Sequence, residues 1–189
     1  LSSLFEEADP NFAQGDTVTA RELLRLGTQR VGDLDDQPAV QAQLAYVLGK
    51  TRRQLGLYDT TRALLERSLS LRHRLHGREH PDVADSMHEL ALLIRDQSGR
   101  YARAESLLTE AVAVNRAVHS PRDSTVAAGL KDLVFLQRQQ GKLDAAAASV
   151  REALSVQRAL YGDEHVTVAE SLFNLAAILR DRRQYEKAE

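Results

Sequence analysis

An all-α fold of repeated helical hairpins is what this sequence predicts, and three observations predict it. Landmark residues recur at a fixed step: Tyr58, Tyr101, Leu143 and Tyr185 are 43, 42 and 42 residues apart, and Val40, Val83, Val126 and Val168 are 43, 43 and 42 apart. A period of this size marks an array in which each unit is one supersecondary element. Within each period the apolar residues stand three and four apart, the spacing of one helix face, and nothing alternates with the period of two that a strand needs. The third observation is where the breakers fall. Gly56, Gly99 and Gly141 keep the step, with Arg183 in the fourth place. The four prolines, Pro10, Pro38, Pro81 and Pro121, sit in connections or at helix starts, where the missing N–H is harmless.

The elements follow in chain order. Residues 1–36 form a leader with a partial repeat. There Thr19-Ala20-Arg21-Glu22-Leu23-Leu24 matches Thr60-Thr61-Arg62-Ala63-Leu64-Leu65 and starts a helix that Asp16 or Thr17 is expected to cap. The stretch from Leu4 to Thr17 reads as a shortened first helix and its loop. Repeat one spans 37–80: a helix from Pro38, a turn at Gly56, a second helix, and a connection through His76-Gly77-Arg78-Glu79-His80-Pro81. Repeat two, 81–123, has the stripes Val83, Met87, Leu90, Ala91, Ile94 and Ala104, Leu107, Leu108, Ala111, Val114. Repeat three is 124–165. Repeat four is 166–189, with its second helix expected to stop about one turn after it begins.

Small residues recur where the helices of a hairpin must approach. The first helix carries Gly49, Ala91, Val134 and Ala176; the second carries Thr61, Ala104, Ala146 and Ala188, then Ser68, Ala111 and Ala153 seven residues on. Larger side chains there would push the axes beyond their usual ~8–10 Å separation.

Composition narrows the function. With 43% hydrophobic and 28% charged residues, the chain of 189 residues can bury a core. A net charge of -2 supplies no basic field for a phosphate backbone, which argues against nucleic acid as partner. The absence of cysteine excludes disulfides, thiolate metal sites and cysteine nucleophiles, and leaves the compartment open. No apolar run is long enough to span a membrane, and no secretory leader is visible. A cytoplasmic setting is favoured, with the outer side of a membrane-anchored parent as the alternative. Because the chain opens at Leu1 and its only methionine is Met87, it is expected to be a piece of a longer protein.

No catalytic signature is present: there is no phosphate-binding glycine loop, no nucleophile elbow and no kinase catalytic-loop motif. No cofactor is expected. Among the six histidines, His76 and His80 stand four apart, but Gly77 and Pro81 place them in a connection. Structural metal sites usually recruit four ligands, so no metal is expected. His80, Asp123 and His165 hold equivalent places just before a first helix, which suits capping.

The repeat resembles the tetratricopeptide repeat in its longer form known from kinesin light chains. His80-Pro81-Asp82-Val83-Ala84 is similar to that family's linker, and Asn174-Leu175-Ala176 to part of its first-helix signature. The resemblance implies antiparallel hairpins stacked into a right-handed superhelical solenoid, a binding module whose concave face is lined by first helices. Residue by residue, it places the groove at Tyr46, Lys50 and Arg53; His88, Leu92 and Arg95; Lys131, Phe135 and Arg138; and Phe173, Ala177 and Arg180. The leader resembles the segment that joins bacterial serine/threonine protein kinases to repeat arrays of this kind, which implies a signalling parent with a kinase domain upstream.

Arg53, Arg95, Arg138 and Arg180 occupy one place in all four repeats. Such a column either solvates helix ends and suits their dipoles or grips the carboxylates of a mixed or mildly acidic peptide, with the aromatics as apolar anchors. A rival function is self-association. Without a full second helix in repeat four, Leu172, Leu175, Ile178 and Leu179 are expected to be poorly covered, and two chains stacked end to end would cover them.

Overall fold

A computed structural model describes residues 19–119 and 123–185. Among them are eight helices and no strand: α1 (Ala20–Gly32), α2 (Pro38–Gln54), α3 (Thr61–His76), α4 (Pro81–Ser98), α5 (Tyr101–Val118), α6 (Ser124–Gln139), α7 (Leu143–Tyr161) and α8 (Val166–Tyr185). The all-α hairpin array predicted by the period is the observed architecture. The chain divides into two compact units, Leu1–Leu75 and His76–Glu189.

In the first unit α1 begins where the sequence match placed it, but its cap is Thr19, whose hydroxyl accepts from the Glu22 amide at 3.3 Å. Asp16 and Thr17, the expected caps, lie outside the described residues. The core gathers Val31, Ala45, Leu48 and Leu64, with Leu24 and Leu44 packed against it. Gly49 is needed at its position: a β-carbon built there would lie 2.6 Å from Leu65 Cδ2, and Leu65 is fully buried. Two buried polar side chains find partners inside the unit. Gln41 Nε2 donates to the Val31 carbonyl at 2.7 Å, and Ser68 Oγ donates to the Ala42 carbonyl at 2.9 Å. Such bonds remove the cost of burying an unpaired polar group.

In the second unit α4 to α8 pack each on the next. The small positions lie inside: Ala91, Ala104 and Ala146 are fully buried, and Ala111 and Ala153 nearly so. Ala176 is exposed, and Ala188 lies outside the described residues. Turn chemistry explains the hairpins. Gly56, Gly99 and Gly141 hold φ of 70°, 59° and 70°, a left-handed conformation that ends a helix and that glycine adopts without strain. Repeat four has Arg183 at this place. No left-handed turn forms, and α8 runs on through Arg183 to Tyr185. The turn expected at Arg183 is therefore absent, and the residues expected to form most of the second helix lie outside the described ones.

Linker residues cap the first helices as expected. His80 Nδ1 accepts from the Asp82 amide at 3.2 Å, Asp123 Oδ1 from the Thr125 amide at 2.7 Å, and His165 Nδ1 from the Thr167 amide at 3.3 Å. Repeats two and three are joined by a polar tie, in which Glu105 accepts from Lys142 Nζ at 2.6 Å and from Gln140 Nε2 at 2.8 Å. Burial works to raise the Glu105 pKa, but hydrogen bonds from Lys142, Gln140 and Gln137 and the Lys142 charge outweigh it and hold the group below its ordinary value. The Asp123 pKa is lowered as well, by its side-chain and backbone bonds to Thr125 and by the charge of His119.

Both folded values are depressed, so both groups add stability above their ordinary values of 4.5 and 3.8, and this contribution is lost as pH falls through the lower folded values. Glu105→Gln, which keeps an acceptor but no charge, is expected to cost about 1 kcal/mol at neutral pH. The gap to the parent should close as pH falls below 4.5 and through the lower folded value, where Glu105 takes up a proton. Urea unfolding across a pH series measures it.

Candidate functional site

The residues expected to line the groove come from alternate helices. In the second unit they project from α4, α6 and α8, and the structure brings them together through ion pairs between neighbouring first helices. Arg95 on α4 donates to Asp96 at 2.9 Å and reaches Asp132 on α6 at 3.1 Å. His88 Nε2 lies 2.8 Å from the other Asp132 oxygen. Arg138 on α6 reaches Asp181 on α8 at 3.3 Å, and Arg180 pairs with the same carboxylate at 3.2 Å. Lys131 stands 3.8 Å from Glu170.

The arginine column is thus threaded with carboxylates. Arg95, Lys131, Arg138 and Arg180 face Asp96, Asp132, Glu170 and Asp181, so this face carries paired charge of both signs. Asp132 was not among the expected groove residues. The sequence carried a signal for it: two places before the small residue of each repeat stand Val47, Glu89, Asp132 and Asn174, a partly acidic column beside the basic one.

Apolar side chains stand open between these charges. Phe135 is 43% exposed and Phe173 is 75% exposed. The Phe135 ring is held from two sides, edge-on by Tyr101 with centroids 6.4 Å apart and on its face by the Arg95 guanidinium at 5.4 Å. Beside it opens a cleft of about 530 Å³ bounded by Lys131, Val134, Phe135, Arg138, Asn174 and Asp181. Leu92, assigned to the groove, is almost wholly buried and offers little surface. Ala177 is half-buried.

In the first unit the equivalent places behave differently. The Tyr46 ring is covered by the Arg72 guanidinium at 4.2 Å and approached by Lys50 Nζ at 5.8 Å. Arg72, itself buried, donates to Gln43 at 2.7 Å. Tyr46 is therefore a packing residue of its own hairpin, and Lys50 and Arg53 are half-buried beside it.

The expected end surface on α8 needs correction. Ile178 is fully buried in a cluster with Val134, Ala147, Val150 and Val168, and Leu175 packs against that cluster. The reason is helical phase: Ile178 shares with Leu175 the face of α8 that meets α6 and α7. Leu172 and Leu179 remain partly open, at 44% and 36% exposure.

His76 and His80 flank the connection in which the sequence places them, and their rings stack with centroids 4.2 Å apart and an 18° interplanar angle. Asp82 Oδ2 lies 3.8 Å from His76 Nε2 and 3.8 Å from His80 Nδ1. No described helix is long and apolar enough to cross a membrane.

Comparison with known proteins agrees with this architecture. The solved structure of BtubC (BKLC) from P. vanneervenii superposes with a TM-score of 0.76 at 22% identity, over 99% of this chain and 74% of that one. A putative kinesin light chain from Podosopora anserina with nearly identical TPR-like repeats gives 0.74 at 22% identity, over 100% of this chain and 89% of that one, and a variant of the same protein gives 0.75. At this identity the likeness establishes the fold. No curated protein sequence matches the chain. The family model for the tetratricopeptide repeat matches residues 40–117 and 125–189, most of the sequence. Repeats of this kind generally mediate protein–protein interaction and are typically non-enzymatic. From the 42-residue period, the glycine turns, the buried small residues and this match it follows that the chain belongs to the tetratricopeptide repeat family.

Proposed function

We propose that the chain is a protein-interaction module that holds a peptide or a segment of a partner domain on the α4, α6 and α8 face of its second unit. The observation that carries this reading is the cleft beside Phe135, where an open aromatic ring lies between paired charges of both signs. Such a surface suits a segment with an apolar anchor flanked by mixed charge. A purely acidic ligand fits less well, because it would have to displace Asp132 and Asp181 from the arginines they already neutralise. The module serves as a regulatory or scaffolding segment of a larger signalling protein, and the resemblance of the leader supports a kinase-bearing parent.

Peptide-display selection against the intact chain tests this. Selected peptides should carry an aromatic or large aliphatic residue, and Phe135→Ala should weaken them by about 30-fold, the effect of losing one anchor of about 2 kcal/mol. Arg138→Glu, which sets a second acid beside Asp181 in the cleft lining, should weaken them as well. Peptides that bind both variants like the parent would place the binding surface elsewhere.

A second reading rests on a separate observation. Leu172, Phe173 and Leu179 leave apolar surface on α8, and homodimers formed through it would cover them. Light scattering over a concentration series should then show a dimer that Phe173→Asp and Leu172→Asp dissolve; a strict monomer at high concentration removes this alternative.

A further inference from the structure

We infer that the connection from His76 to Asp82 is a binding site for a divalent transition ion of the zinc class. His76 Nε2, His80 Nδ1 and Asp82 Oδ2 all lie within 4.8 Å of one another, with both nitrogens 3.8 Å from the carboxylate oxygen. Ligands at bonds of about 2.0–2.1 Å around a tetrahedral ion stand about 3.3–3.4 Å apart. Each nitrogen must therefore draw toward the carboxylate oxygen by roughly half an ångström. Two imidazoles with one carboxylate select zinc, nickel, cobalt or copper over magnesium or calcium, which take oxygen ligands. Three protein ligands on a half-exposed surface leave the fourth position to water.

The chain supplies its own comparison for what this connection needs structurally. The equivalent connections place His119, Asp123 and Thr125, and Tyr161, His165 and Thr167, at these three positions. In both of them the residue before the helix caps it, as His80 does. The later one also keeps a ring on its cap, since Tyr161 stacks on His165 at 4.6 Å. Capping and stacking are thus satisfied without a carboxylate at the third position. Of the three connections, only the one from His76 puts two imidazoles and a carboxylate together. Gly77, at φ 81°, makes the turn that folds His76 back toward His80.

Two rearrangements accompany binding. The stacked rings have nearly parallel planes, so their lone pairs do not yet meet; His76, at 35% side-chain exposure, has room to swing and open the 18° angle. His80 Nδ1 exchanges the Asp82 amide for the metal, so a neutral cap bond gives way to a metal–ligand bond. The ion then fastens the connection within the second unit, and because it binds the folded chain it raises the unfolding temperature.

Calorimetric titration of the intact chain with zinc chloride, in a buffer that does not chelate, should show one ion per chain with micromolar affinity. Cobalt chloride should give visible absorption bands of a four- or five-coordinate ion. His76→Ala and Asp82→Asn each remove one ligand without touching the His80 cap, and each should weaken binding at least about tenfold. His165→Ala and His88→Ala should leave it unchanged. Far-UV circular dichroism shows that each variant is folded. Absence of saturable one-to-one binding, or equal binding in the His76 and Asp82 variants, overturns the assignment.

Discussion

Ile178→Ala should lower the unfolding free energy by about 2–5 kcal/mol, the range for truncating a fully buried isoleucine to alanine. Ile178 has no exposed surface and closes the cluster of Val134, Ala147, Val150 and Val168 between α6, α7 and α8. The cost combines the transfer energy of three lost carbon atoms with the cavity left behind, because neighbours on three helices cannot all collapse into it. Leu179→Ala, one residue on, is expected to cost about 1 kcal/mol or less, since Leu179 is 36% exposed. Hydrogen exchange of the α8 amides alongside urea unfolding locates the loss, because an array can lose an end before its middle. Equal costs at the two positions would mean that α8 is rotated from the phase described above.

Gly49→Ala and Gly129→Ala should both destabilise, against the usual gain for this exchange inside a helix. An alanine in a helix interior is worth about 1 kcal/mol over glycine. Here the added carbon would lie 2.6 Å from Leu65 Cδ2 at position 49, and 2.5 Å from Val112 Cγ2 at position 129. Leu65 is fully buried and Val112 nearly so, so neither can move without disturbing its own neighbours. Overpacking of this kind costs typically about 1–3 kcal/mol and outweighs the propensity gain. The two sites lie in different units, so their effects should add. Gly32→Ala is the control: nothing lies within 4 Å of a β-carbon there, and a small gain is expected. Thermal unfolding of the three variants gives the signs directly.

Much of the fold was legible because it is periodic. A step of 42 or 43 residues, apolar stripes and glycines at one phase are local properties, and they specify helix, turn, helix without reference to the rest of the chain. The same holds for the caps: His80, Asp123 and His165 act on amides two residues away, and a contact that short is readable from sequence. Arg183 shows the boundary of such reading. The landmarks Gln184-Tyr185 kept register with the earlier turns, but without glycine nothing there adopts the left-handed angle, and the helix continues.

For the candidate site the division is sharper. Sequence alone determined that the chain is a hairpin array with arginine at one phase of every repeat, and that it lacks the motifs of a catalyst. Tertiary structure decided what those arginines face. Asp132 and Asp181 reach Arg95 and Arg138 from the next first helix, 37 and 43 residues away, and the distance across that gap depends on how the helices stack. It also decided that Tyr46 packs under Arg72, that Ile178 is core, and that Asp82 joins two stacked histidines. Periodicity fixes which way a side chain leaves its own helix; what it meets is set by neighbours that packing, and not the local pattern, brings near.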